Sequence, residues 1–172
     1  DLSFMLHDTA SGWSATLLAR NIGAQLKTYV PDNREPLPLE VVGAVSKKFA
    51  HVPARLNLTW RHMEVYDINY IDPNDQTNYD ALTGEYKPVE YNFWEKGIRH
   101  IIVGTEILLS KNFHLRVAYN FQRRQELLVD SRPRTVGLSF GVGLKISKFI
   151  ISYGRASYHL AGASNHFSLA VN

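Results

Sequence analysis

Cysteine is absent from the 172 residues, which excludes disulfide staples and thiolate metal sites while leaving the compartment open. No stretch of 18 consecutive apolar residues occurs either, and that excludes a membrane-spanning helix. Charge of one sign is not in excess. The formal net charge of +3 is small and scattered, with no basic cluster interleaved with aromatics, so nucleic acid is not an implied partner. The seven histidines form no H-E-x-x-H and no pair at zinc-ligand spacing; neither metal catalysis nor a cofactor is expected. Helical periodicity is missing as well, because no segment repeats apolar residues at helical spacing over three turns.

What the chain has in abundance is alternation. Phe113, Leu115, Val117, Tyr119 and Phe121 alternate with His114, Arg116, Ala118, Asn120 and Gln122, a period of two that predicts a strand with one oily and one wet face. If the pattern runs from Phe113 to Leu127, the strand spans roughly 50 Å at about 3.3 Å per residue, far beyond the usual soluble strand of about five or six residues. A transmembrane β-barrel accommodates such a strand, with an outer face toward lipid and an inner face toward a polar lumen. The composition, 45% hydrophobic and 20% charged, suits a globular domain or a barrel equally, since alternation hides lipid-facing residues within an average.

Nine strands are predicted: Leu2–His7, Ser14–Leu26, Leu39–Lys47, Ala54–Tyr70, Arg99–Ser110, Phe113–Leu127, Thr135–Ser147, Phe149–Tyr158 and Ser164–Val171. Short and mostly longer connections alternate between them. An up-and-down meander then has one trim rim and one rim of loops, as outer-membrane barrels have. At the trim rim, Ser46-Lys47-Lys48-Phe49, Ser110-Lys111-Asn112-Phe113 and Ser147-Lys148-Phe149 each put lysine at the bend and an aromatic beside it. These read either as ordinary polar hairpins or as part of an aromatic girdle, and recurrence at one end favours the girdle. The expected fold is an all-β, antiparallel up-and-down transmembrane barrel forming one domain over residues 1–172.

The faces assign side chains. Lipid-facing candidates are Phe113, Leu115, Val117, Tyr119, Phe121, Leu138, Phe140, Val142 and Leu144. Lumen-lining candidates are Arg55, Glu106, His114, Arg116, Asn120, Gln122, Arg124 and Lys145, which would either line a selective aqueous pore or fill a small barrel as a plug of ion pairs; the plug is favoured. A soluble β-sandwich would show the same alternation with the apolar face as its core. Strand length, loop asymmetry and turn aromatics favour the membrane.

Catalytic motifs do not survive their context, and no catalytic residue is assigned. Gly137-Leu138-Ser139-Phe140-Gly141 matches G-x-S-x-G, but the alternation runs straight through where a nucleophile elbow needs a strand-to-helix turn. Asp72, Asn74, Asp75, Asn78 and Asp80 suggest a calcium loop, yet Thr77 and Thr83 replace its glycine and glutamate. The connection from Ile71 to Ile98 is 28 residues long and carries Tyr79, Tyr86, Tyr91, Phe93 and Trp94. Long loops without structure of their own are usually functional or disordered, and aromatics are enriched at interface hot spots, so these five are candidates for partner binding.

Three regions carry a family resemblance. Leu108-Leu109-Ser110-Lys111-Asn112-Phe113-His114-Leu115-Arg116-Val117-Ala118-Tyr119-Asn120, continuing through Gln122-Arg123-Arg124-Gln125-Glu126-Leu127, resembles the PorQ family of the bacterial type IX secretion system. So do Ile146 to Phe149, Ser152 to Ala156 and Tyr158 to Ser168, and also Leu18 to Lys27 with Glu35-Pro36-Leu37-Pro38. Asp1 to His7 reads as strand rather than signal peptide, and the chain resembles roughly the C-terminal half of a member. The resemblance implies a FadL-like barrel in the cell outer membrane of Bacteroidetes-type bacteria. It further implies a non-catalytic anchor that holds PorZ, with PorU and PorV, in the attachment complex that joins cargo to lipopolysaccharide. A FadL-like channel for hydrophobic molecules is the alternative on the same fold.

Overall fold

The computed structural model describes residues 1–27, 34, 36–69, 79–80, 82, 85–86, 91–127, 135–159 and 162–171. Eleven strands and two short helices follow in the order β1 (Leu2–Asp8), β2 (Trp13–Arg20), β3 (Glu40–Lys48), β4 (Ala54–Trp60), β5 (Tyr79–Asp80), β6 (Glu85–Tyr86), α1 (Phe93–Arg99), β7 (Ile101–Ile107), β8 (Phe113–Asn120), α2 (Phe121–Glu126), β9 (Leu138–Ile146), β10 (Phe149–His159) and β11 (Gly162–Val171). Nine of the strands form one antiparallel sheet in the order β1-β2-β3-β4-β7-β8-β9-β10-β11, and β5 pairs with β6 in a separate hairpin. All nine predicted strands are in that meander. Short turns on one rim alternate with longer connections on the other, except that only residues 160–161 join β10 to β11, a connection as short as those of the trim rim.

Register separates the residues into two chemically different faces. One row runs His7–Ser14–Ser46–Asn57–Gly104–Ala118–Ser139–Ala156–Ser164 across all nine strands, every member polar or small. The neighbouring row on the opposite face reads Leu6–Ala15–Val45–Leu58–Val103–Tyr119–Leu138. A second apolar row joins Ala54–Ile107–Leu115–Val142–Tyr153–Phe167. Because paired residues share a face and the side-chain period is two, one register error would mix the rows. None does.

No second layer covers the apolar face among the described residues. Phe4 is 63% exposed and Phe167 71%, and Val136 is the single buried hydrophobic residue among those described. A compact monomer of 19.6 kDa exposes about 8,600 Å² by the usual scaling. This chain exposes 13016 Å², about half as much again. The stabilisation that a soluble sheet draws from burying its apolar face is not available inside this chain.

Several strands stop earlier than their apolar pattern, and backbone geometry gives the reason. Asn21 and His62 adopt left-handed conformations, φ 58° and 52°, ending β2 and β4 at Arg20 and Trp60 rather than at Leu26 and Tyr70. The strand starting at Phe113 is eight residues long and ends at Asn120 instead of reaching Leu127. There the Asn120 side chain accepts from the Arg123 backbone N–H at 2.9 Å, capping α2. Gln122 donates to Glu126 at 2.9 Å along the helix. Phe121, Gln122 and Arg124 are therefore helical residues, which corrects their assignment to the faces of a strand. Arg99 likewise closes α1, so β7 starts at Ile101, and the connection after β4 has structure of its own in β5, β6 and α1.

Two tight turns set the trim rim. Between β9 and β10, Ser147 takes φ 54°, as the first position of a two-residue hairpin loop requires. Between β1 and β2, Gly12 at φ 73° accepts from the Lys48 N–H at 2.9 Å and ties the turn to β3. At the other rim, Gly137 precedes β9 at φ 88°, and its carbonyl accepts from the Asn120 N–H at 2.8 Å. A Cβ on Gly137 would lie 2.7 Å from the Asn120 carbonyl oxygen. Gly137→Ala should therefore destabilise the sheet by about 1–3 kcal/mol, read as a lower urea midpoint in detergent; an unchanged midpoint would contradict the strained backbone described here.

Candidate functional site

The polar face is organised by two buried carboxylates. Glu106 on β7 lies opposite both Arg55 on β4 and Arg116 on β8 in register. Arg55 Nη1 donates to Glu106 Oε2 at 2.9 Å, and Arg116 Nε donates to Oε1 at 2.8 Å. Each carboxylate oxygen thus meets one guanidinium, and the trio keeps a net positive charge. Glu106 is 6% exposed, whereas its arginines reach into the open. Glu40 repeats the device where β2, β3 and β4 end: Arg20 Nε donates to Oε2 at 2.8 Å and Arg61 Nε to Oε1 at 2.7 Å.

Of the predicted lumen residues, Arg55, Glu106, His114, Arg116, Asn120 and Lys145 share this polar face by register. Gln122 and Arg124 lie in α2 instead. The His114 ring lies over Gly143, where a Cβ would come within 2.0 Å of Nε2; glycine there makes room for the imidazole. Phe113, Leu115, Val117, Tyr119, Leu138, Phe140, Val142 and Leu144 share the apolar face. Phe121, in α2, meets the edge of Tyr119 at 4.8 Å between centroids. Ser139 of the G-x-S-x-G match lies within β9 and donates to the Ala118 carbonyl at 3.3 Å, so it is not on a strand-to-helix elbow.

Aromatics edge the trim rim. Trp13, Phe113 and Phe149 open β2, β8 and β10 on the apolar face. Lys47 Nζ lies 4.9 Å above the Trp13 ring and donates to the Ser11 carbonyl at 2.6 Å. Phe49 is half-exposed beside β3.

At the opposite rim, a ring stack supports α1. Trp60, His100, Tyr66 and Phe93 stack in sequence at centroid distances of 5.6, 6.0 and 5.2 Å, and Trp94 meets Phe93 edge-on at 5.5 Å. His100 is 1% exposed, and its two ring nitrogens meet the carbonyls of Arg61 at 2.7 Å and Tyr66 at 2.9 Å. A capping box fixes the helix start: Asn92 Oδ1 accepts from the Glu95 N–H at 3.0 Å, and Glu95 Oε2 from the Asn92 N–H at 2.9 Å. Lys96 bonds Asp67; that bond and the Asn69 N–H hold the Asp67 carboxyl below the usual carboxylate range. The stack leaves Phe93 65% and Trp94 80% exposed.

The five predicted partner-binding aromatics therefore divide. Phe93 and Trp94 stand outward on a braced helix, while Tyr91 is half-buried with the Arg99 guanidinium 4.2 Å over its ring. Tyr79 and Tyr86 belong to β5 and β6, with side chains outside the described residues. Asp72, Asn74, Asp75, Asn78 and Thr83 of the calcium-like pattern also lie outside them, as does the Asp80 side chain.

Sequence reasoning missed Glu40, Arg20, Arg61 and His100. Arg20 and Glu40 close a 19-residue connection as partners in register, and neither interrupts an apolar alternation conspicuously. Replacing Glu106 by Gln strands Arg55 and Arg116 without their shared anion. Both guanidinium groups are partly hydrated, so the expected loss is about 1–2 kcal/mol rather than the 3–5 of a fully buried pair. Urea unfolding in detergent measures it, and a variant as stable as the parent would mean the trio contributes nothing.

Comparison with known proteins finds no matching family model, no matching curated protein and no matching solved structure.

Proposed function

We propose that this sheet is part of the wall of a transmembrane β-barrel in the cell outer membrane, acting as a non-catalytic scaffold of the type IX protein secretion system. One observation carries the membrane reading: a largely apolar face across nine adjacent strands with none of the described residues folded over it, backed by a row of polar and small residues. Acyl chains are the partner that such a face requires, and the strands of 7–11 residues suit a tilted crossing of about 9–11. Aromatics and lysines along the trim rim fit an interface girdle. β1 and β11 each have an edge that pairs with no strand among the described residues. In lipid such edges cost several kcal/mol per unsatisfied group, so a working barrel needs further strands joining them.

The scaffold role rests on the resemblance of Leu108 to Leu127 and of the chain's ending to the PorQ family. On this reading the loop-bearing rim holds PorZ, and through it PorU and PorV, with lipopolysaccharide or other outer-membrane lipid around the wall. Phe93 and Trp94 have the exposure and the rigid support of interface hot spots. The alternative of a FadL-like channel for hydrophobic molecules calls for an apolar interior, and the polar face carries serine, glycine and arginine instead.

Fractionation tests the barrel: the protein should stay with outer membranes after an alkaline carbonate wash and migrate differently on gels before and after boiling. Recovery as a soluble monomer without detergent would reject it. The Phe93→Ser, Trp94→Ser double variant should insert normally yet weaken PorZ co-purification at least tenfold; retention of PorZ at parental levels would remove this surface from the reading.

A further inference from the structure

The bends of the trim rim carry only positive charge, and Asp8, which closes β1 beside them, accepts from the Ala10 N–H and the Ser11 hydroxyl of its own turn. The four turns of this rim, residues 9–12, 49–53, 108–112 and 147–148, contain no aspartate or glutamate, while Lys111 and Lys148 lie within them and Lys47 and Lys48 close β3 beside them. Between the turn after β3 and the turn after β7 lies a cavity of about 670 Å³ lined by Lys48, His51, Arg55 and Lys111, with Phe49 and Pro53 on its apolar side. Backbone bonds knit its walls together: the Phe49 N–H donates to the Ala54 carbonyl at 3.0 Å, and the Leu108 N–H donates to the Pro53 carbonyl at 2.7 Å. The nearest carboxylate in register is Glu106, whose one charge is already divided between Arg55 and Arg116. Among the described residues, neither Lys48 nor Lys111 forms an ion pair.

We propose that this groove binds a phosphate monoester bearing an apolar substituent. Its phosphate would lie between the Lys48 and Lys111 ammonium groups with Arg55 beneath, and its substituent against Phe49 and Pro53. Two ammonium groups without an ion-pair partner among the described residues and the Arg55 guanidinium line one open groove, and such a cluster attracts a dianion more strongly than a monoanion. The volume exceeds what a bare phosphate fills, which is why the ligand carries an apolar body. The inference stands on the groove alone and holds whether or not the sheet closes into a barrel.

The test uses the whole protein in the uncharged detergent dodecyl maltoside. Phenyl phosphate represents a soluble monoester and phosphatidic acid a lipid one, with inorganic phosphate and phosphatidylcholine as comparators. Lysine acetylation followed by mass spectrometry reads occupancy, and calorimetry reads affinity. Lys48 and Lys111 should be protected several-fold more than Lys148, and phenyl phosphate or phosphatidic acid should outperform its comparator. Lys48→Ala with Lys111→Ala should weaken binding at least tenfold, whereas Lys148→Ala, on the same rim outside the groove, should leave it unchanged. Protection by phenyl phosphate assigns a soluble ligand, and protection by phosphatidic acid alone assigns a lipid. Equal protection of all three lysines, equal affinity in the double variant and the parent, or no protection by either monoester overturns the proposal. Rising salt should weaken binding steadily, as partly exposed charges require.

Discussion

Strands that pair on both sides satisfy their backbone internally, and the side chains then decide what solvent the sheet needs on each face. In this chain nine strands pair in sequence, so a mainly apolar face and a mainly polar face persist from β1 to β11, with Leu18, Val42, Ile102 and Ile150 among the apolar exceptions on the polar side and Arg155 a charged one on the apolar side. No covering layer lies over the apolar face among the described residues. The two short helices pack on each other at the loop-bearing rim, and α2 also packs on β7. A water-exposed sheet of this kind would associate or collapse, because the driving force to remove its apolar area from water is unspent.

The polar face solves a different difficulty. Buried charges are costly unless paired, and the chain pairs them by giving each buried glutamate two arginines. Sharing one anion between two cations fixes the glutamate while leaving the wall positive. Glycine and alanine between these clusters, at Gly104, Ala118, Gly141 and Gly154, keep that wall thin where arginine and histidine side chains need room.

The two rims then differ in chemistry as well as length. The trim rim carries aromatics toward the apolar face and lysines at its bends, joined by turns too short to carry a partner surface. Across the sheet, the longer connections build a platform in which buried His100 holds the carbonyls of Arg61 and Tyr66 and stacks the rings that support α1. Rigid support is what lets large exposed aromatics such as Phe93 and Trp94 act in recognition, because little side-chain entropy is lost when they are covered. The two ends of the sheet thus present different chemistry, lysines and aromatics at one and a braced aromatic platform at the other.

Much of this was legible before any coordinates. The alternation in Phe113 to Asn120 and in Leu138 to Ile146 determined strands, faces and the positions of Arg116 and Leu115, because a period of two is a local property that packing need only preserve. Recurring Ser-Lys and aromatic pairs located the trim rim for the same reason. Where strands end was not legible: the left-handed Asn21 and His62 and the capping Asn120 interrupt patterns that continue in composition. Nor was register, which brings Arg55 to Glu106 from 51 residues away and Arg20 to Glu40 across a 19-residue connection. Alternation depends on adjacent residues, whereas ion clusters and ring stacks depend on which distant strands and loops are paired, and that is decided only when the whole sheet has formed.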